Sequence, residues 1–261
     1  MRAEALSSCS SQESIEEEEE EKKVIVQAAE KNTLILSPPR AEDKKPEDYI
    51  EALSSDPKVR DAYTKEFSEI LGILATQDIH HFSEEQCKRY FDKFRKTSTH
   101  KRTIVFGLDG TLVRTAFDKA KGSALDINIQ LRPKLDTMLQ TLSKHYELIV
   151  FSTSQPSYTK AVVDAIQANG TYFSHVLSNK HTIDKYLIKD MKILMNGRNL
   201  KDLLIVDNRI KSFMTTLANG VFVPVFDGSE DDNYLEYLQQ YLLDFAGDDD
   251  VRDKLSDDFD I

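Results

Sequence analysis

From residue 101 onward, short unbroken apolar runs alternate with stretches in which apolar residues recur every three or four positions. The runs are 104–106, 148–151 (LIVF), 203–206 (LLIV) and 221–226 (VFVPVF). Continuous rather than alternating hydrophobicity is what a strand buried on both faces of a parallel sheet requires. Between the runs, Leu135, Met138, Leu139 and Leu142 predict a helix opened by Pro133 at its first position. A second helix is predicted from about residue 158 to 167, ended by Asn169-Gly170, and a third from about 232 to 245. Strand–helix–strand repetition of this kind predicts an α/β fold, a parallel sheet with helices on both faces.

Residues 46–100 carry a different pattern. Val59, Ala62, Tyr63, Phe67, Ile70, Leu71 and Leu74 form an apolar stripe at helical spacing. Ser83-Glu-Glu-Gln86 has the form of a capping box and opens a helix with Cys87, Tyr90, Phe91 and Phe94 on one side. His80 and His81 lie between these helices without two further ligands nearby, so a metal role is not assigned to them.

Residues 1–45 hold a Ser-rich patch, six consecutive glutamates (Glu16 to Glu21) and Pro38-Pro39. Such a stretch buries too little apolar surface to offset its ordering entropy and is expected to be a disordered acidic tail. Val24 to Val26 and Leu34 to Leu36 are its apolar exceptions. The division expected is therefore tail 1–45, helical extension 46–100, α/β domain 101–256 and a C-terminal tail 257–261.

Charge and composition narrow the classes. A net charge of −11 argues against a nucleic-acid partner and favours basic protein partners. Two cysteines make no disulfide framework, which suits a reducing compartment. No apolar run approaches the roughly 20 residues that span a bilayer. The acidic first 25 residues match neither a signal peptide nor an import presequence. An intracellular, soluble protein is expected, cytoplasmic rather than nuclear, with no membrane partner.

In open parallel sheets, ligands bind beyond the carboxyl ends of the strands. Polar residues gather there: Asp109, Gly110 and Thr111 after the first run, Ser152, Thr153 and Ser154 after the second, and Asp207 and Asn208 after LLIV. Each group alone suits a turn, but three on adjacent strands predict one shared site. The basic residue of a phosphate site is sought in TIDKYLIKDMK, where pattern alone does not separate Lys189 from Lys185 or Lys192.

GLDGTLV, ELIVFSTS, YLIKDM and LLIVDN, in that order, resemble the four motifs of the haloacid dehalogenase superfamily. More closely they resemble its Fcp-type, small C-terminal-domain phosphatase branch, the NLI-interacting-factor-like domain. LRPKLDTMLQTLSKHYELIVFSTS and the stretch from NGRNLKDLLIVDN to DDDVRDKL continue the likeness. It covers about residues 101–256 and implies a Rossmann-like, haloacid dehalogenase-like sheet.

In that family the first Asp of motif one attacks phosphorus, Mg²⁺ bridges it and the phosphate, and the second Asp is general acid and base. The resemblance carries the second role to Asp109, phosphate contacts to Thr111, Ser152 and Lys189, and metal-side support to Asp207, Asn208 and Asp109. Ser152 stands where the family usually has Thr. The nucleophile's position is Gly107, which has no side chain. Losing a nucleophile typically costs on the order of 10⁴- to 10⁶-fold in rate, and losing a metal carboxylate weakens Mg²⁺. Asp109, roughly 6–7 Å along the strand, does not attack in line while also serving as acid.

The segment Thr115–Leu131, where family members that grip phosphopeptides carry a long aromatic insertion, is short and has Phe117 as its sole aromatic. The mitochondrial import receptor of the Tim group is a precedent for a family member without phosphatase function. These readings predict a pseudophosphatase serving as a protein-interaction or scaffold module, with basic or phosphorylated protein partners. The alternative is a Mg²⁺-dependent protein Ser/Thr phosphatase, weakly active or with Gly107 as a substituted nucleophile.

Overall fold

The computed structural model describes residues 44–79, 81–117, 127–183 and 186–259. The expected tail up to residue 43, together with His80 and Lys185, lies outside them. The helical extension contributes α1 (Glu47–Ser55), α2 (Pro57–Thr76) and α3 (Glu84–Phe91). Asp56 caps α2 through Lys58 N–H ahead of Pro57, and the Ser83–Gln86 capping box opens α3 as predicted.

The domain that follows runs β1 (Thr103–Phe106), β2 (Val113–Phe117), β3 (Ile127–Leu131), α4 (Leu135–Leu142), β4 (Glu147–Phe151), α5 (Pro156–Ile166) and β5 (Phe173–Leu177). It ends with β6 (Leu203–Asp207), β7 (Gly220–Phe222), α6 (Tyr234–Asp244) and α7 (Val251–Phe259). Strands β5-β4-β1-β6-β7 form one sheet, parallel throughout, and β2 and β3 form a separate antiparallel pair. The chain leaves β1 to one side for β4 and later returns to its other side for β6. The carboxyl end of β1 is therefore the switch point where the sheet opens a crevice. Strands β1, β4 and β6 are buried at every residue, as their unbroken apolar runs require.

Four local expectations change. The run 221–226 yields only a three-residue strand, Gly220–Phe222, and Val223 N–H makes the next bond across to Asp207 O. Pro133 belongs to the turn before α4. Lys134 follows it at φ 66° and Leu135 begins the helix. Helix α7 runs past residue 256 to Phe259, whose ring packs on Tyr63, so 257–259 are helix rather than tail. Strand β5 was not foreseen; its FSHVL alternates at an exposed sheet edge.

A glycine decides one contact. A Cβ on Gly220 would fall inside the Phe213 ring, so only glycine lets β7 start there.

The extension shares the domain's core. Tyr49, Leu53, Ile70, Cys87 and Phe94 are buried in the same apolar cluster as the sheet. Tyr49 donates its hydroxyl to the Phe222 carbonyl at 2.5 Å and stacks on Tyr241. On α2 the covered stripe is Val59, Tyr63, Phe67, Ile70 and Ile73. Ala62, Leu71 and Leu74, expected in it, are exposed. No helix among the described residues is long and apolar enough to cross a membrane.

At the base of the sheet, Arg198 makes a two-pronged contact with Glu147, both bonds 2.7 Å, with each side chain almost wholly buried. Thr103 and Ser174 also donate to Glu147. Burial alone would raise the Glu147 carboxyl, but the hydrogen bonds from Arg198, Thr103 and Ser174 hold it below its usual range. The remaining Arg198 nitrogen donates to Phe94 O at 2.6 Å and Leu194 O at 2.8 Å, tying the end of the extension to the same charge pair.

Candidate active site

The loop after β1 is set by backbone bonds. Gly107 N–H donates to Val206 O at 2.8 Å, Leu112 N–H to Leu108 O at 2.9 Å, and Gly110 turns at φ 76°. Arg132 supports it from beneath, donating to Thr111 O at 3.0 Å while its other nitrogens grip Asp232 at 2.9 Å each. Arg132 is wholly buried between the Phe226 and Tyr234 rings. Its role in holding the loop was not assigned from the sequence.

Thr111, buried, joins two strand ends. Its hydroxyl donates to Asn208 Oδ1 at 2.9 Å and accepts from Asn208 N–H at 3.2 Å. Ser152, buried after β4, accepts the Ser154 N–H at 3.0 Å. Asp109 receives two hydroxyls, Ser154 Oγ at 3.0 Å and that of Tyr158, which also lies 2.9 Å from Thr115 Oγ1. Burial first, and then the Asp109 carboxylate, push the Tyr158 phenol well above its ordinary range. Tyr158, one turn into α5, is a site residue that strand-end reasoning missed because it sits on a helix.

The structure separates the three lysines. Lys189 is buried and its ammonium bonds directly to the buried Asp207 carboxylate. Lys192 is exposed, and Lys185 lies outside the described residues. The Lys189 backbone is fixed by donation to Ser212 O at 2.7 Å. The second Asp207 oxygen accepts Arg209 N–H at 2.9 Å.

Asp207 also fills the place beside Gly107. A Cβ built there would stand 2.6 Å from Asp207 Oδ2 and 2.7 Å from Thr111 Oγ1. The sequence-predicted residues therefore do converge: Gly107, Thr111, Asp207 and Lys189 around one point, with Asp109 and Ser152 linked through Ser154. Both oxygens of both carboxylates already meet N–H or O–H donors. Among the described residues no group of three His, Cys, Asp or Glu side chains is placed to hold a metal ion. As arranged, both oxygens of Asp109 and of Asp207 are engaged and Asn208 Oδ1 accepts the Thr111 hydroxyl. The Lys189 charge that would hold an anion is taken up by Asp207.

Neighbouring Asp190 joins this loop to the extension. Wholly buried, it accepts Phe82 N–H at 3.0 Å, lies 3.3 Å from His81 Nδ1 and caps the turn through Lys192 N–H at 3.0 Å. His81, considered for metal binding, is thus a partner of a carboxylate.

Residues 102–252 match the family model described as NLI interacting factor-like phosphatase. A curated relative, CTD small phosphatase-like protein 3 of Caenorhabditis elegans, is 30% identical over 155 residues, 54% of this chain and 53% of its own. The mitochondrial import inner membrane translocase subunit TIM50 of Kluyveromyces lactis is 28% identical over 144 residues, covering 52% of this chain and 29% of its own. The chain thus spans about half or less of the length of these relatives. Among solved structures, a variant of the fission yeast RNA polymerase II CTD phosphatase Fcp1 bound to beryllium fluoride aligns at 17% identity and a TM-score of 0.41. That alignment covers 67% of this chain and 53% of the other.

Proposed function

Because the chain belongs to the NLI interacting factor-like phosphatase family, we propose that it is a catalytically impaired member, a phosphatase fold used as a protein-interaction or scaffold module. One observation carries the reading. Gly107 stands where the family resemblance puts the attacking carboxylate, and the Asp207 carboxylate rests in the space its side chain would need. Removing a nucleophile from a coupled site leaves what binding and electrostatics alone supply, on the order of 10⁴- to 10⁶-fold less rate. Asp109 does not take over, since both its oxygens are held by the Ser154 and Tyr158 hydroxyls. Mg²⁺ binding is weakened for the same reason, with one carboxylate gone and another paired to Lys189.

The partners proposed are proteins, basic ones before phosphorylated ones, because Lys189 is already neutralised. An intracellular setting accords with this. That relatives are named both for phosphatase likeness and for a translocase subunit supports a fold put to either use.

Hydrolysis of a generic aryl phosphate by the natural chain tests the reading. The expected rate equals the no-enzyme blank, with and without millimolar Mg²⁺. A rate clearly above the blank and abolished by chelator overturns it. That result would favour the second reading, a weak Mg²⁺-dependent protein Ser/Thr phosphatase, which the survival of Asp109, Thr111, Ser152, Lys189 and Asp207 around one point supports.

A further inference from the structure

Between α1, α2, α7 and the end of β7 lies a hollow of about 260 Å³. Its walls are apolar: Ile50 and Leu53 of α1, Val59 and Tyr63 of α2, and the rings of Phe222 and Phe259. None of the residues around Gly107 lines it. Tyr63 meets Phe222 edge-on at 5.4 Å between ring centres and Phe259 at 6.2 Å. The same three rings border a further void of about 10 Å³. Apolar atoms that face empty space forgo dispersion contacts, which a guest of matching shape restores. An apolar cavity of about 150 Å³ takes up benzene, so on that scale this hollow has room for about ten heavy atoms.

The polar part of the lining is one-sided. Arg60 is exposed and donates to the Ser54 carbonyl at 3.3 Å, and among the described residues no carboxylate pairs with it. Of the acids on α1, α2 and α7, only Asp258 lines the hollow. Its Oδ2 accepts the Tyr241 hydroxyl at 2.7 Å and lies 3.8 Å from the Lys254 ammonium. The lining therefore offers a guest an uncommitted guanidinium, while its one carboxylate is engaged within the fold. A guanidinium in that position favours an anionic head group over a neutral or cationic one.

We propose that this hollow binds a small apolar carboxylic acid in its ionised form, an aryl or medium-chain acid of about ten heavy atoms. The apolar body lies against Tyr63, Phe222 and Phe259, and the carboxylate accepts from Arg60.

Calorimetric titration of the full chain with octanoate, octanol and octylamine tests it. Octanoate should bind saturably, one to one, and the other two at least about three-fold more weakly, the scale of an exposed ion contact. Arg60→Gln should weaken octanoate by the same factor and leave octanol unchanged. Val59→Trp, which fills the hollow, should abolish binding of both. Should that variant fail to fold, nuclear Overhauser contacts from octanoate to the Tyr63 and Phe259 ring protons of the natural chain decide the place. Absence of saturable binding overturns the proposal, as does octylamine or octanol bound as tightly as octanoate, or contacts that fall elsewhere. Binding that requires removal of residues 260–261 would give the hollow to the chain's own end. A dimer dissociated by octanoate would give it to a second copy. Either result overturns the proposal as well.

Discussion

Asp207 lies against Gly107, its carboxylate within 2.6 Å of the point where a side chain on residue 107 would begin, and is anchored there by Lys189. The space a side chain at position 107 would enter is thus occupied by a neighbour. Gly107→Asp must push Asp207 and Thr111 aside, and two adjacent carboxylates repel without a cation. The variant should melt a few degrees below the natural chain in chelator and recover in millimolar Mg²⁺, which should leave the natural chain unmoved. If Asp207 can turn outward, aryl phosphatase activity should rise at least 100-fold and depend on Mg²⁺. Thermal melts and initial rates, each with and without chelator, check both statements. An inert variant whose melting ignores Mg²⁺ would show that the pocket has closed for good.

The extension should prove necessary to the fold. A chain of residues 101–261 alone would expose the surfaces that Tyr49, Ile70 and Phe94 now cover, and is expected to aggregate or to lose cooperative melting. Ile70→Ala in the full chain should cost about 2–5 kcal/mol, as for other large-to-small core changes. Chemical denaturation measures it, and a loss below about 1 kcal/mol would show that α2 is only loosely docked.

The Glu147–Arg198 pair offers a sharper lesion. Glu147→Ala leaves a buried guanidinium without its carboxylate and should cost about 3–5 kcal/mol. Removing both partners, as in a Glu147→Leu, Arg198→Met chain, should cost less than Glu147→Ala alone, since no charge is stranded. Urea midpoints of the three proteins decide it.

Stability should fall on acidification below neutral pH. Burial lowers the pKa of both His175 and His181, and Lys93 lowers that of His181 further. The unfolded chain, with imidazoles near 6.5, then binds protons that the folded chain refuses. Stability is fully present above about pH 6.5 and is lost as pH drops from there toward the depressed folded values. The melting temperature should therefore decline by a few degrees between pH 7.5 and 5.5. The decline should be shallower in His181→Asn, which keeps an acceptor for the Ser178 N–H but does not titrate.

Much of this was readable in advance because burial leaves a plain signature. TIVF, ELIVF and LLIVD announce strands covered on both sides, and their polar ends gave Asp109, Thr111, Ser152 and Asp207 directly. Lys189 could not be told from Lys185 or Lys192, since depth of burial follows from tertiary packing and not from spacing. Tyr158 and Arg132 stayed hidden for a related reason: one acts from a helix, the other from beneath the loop. Edge strand β5, half exposed, alternates too weakly to stand out. The α2 stripe was read too wide because leucines at 71 and 74 look the same whether covered or not.

Tyr49 and the Phe222 carbonyl it bonds are separated by 173 positions in the chain. During synthesis at roughly 5–20 residues per second, the first helices emerge on the order of ten to thirty seconds before their dock exists. Until then Tyr63 and Phe67, which belong against the last strand and helix, have nothing of their own chain to rest on. A message cut short before the Phe222 codon would therefore yield a polypeptide with that face permanently bare, a natural substrate for chaperone capture and degradation.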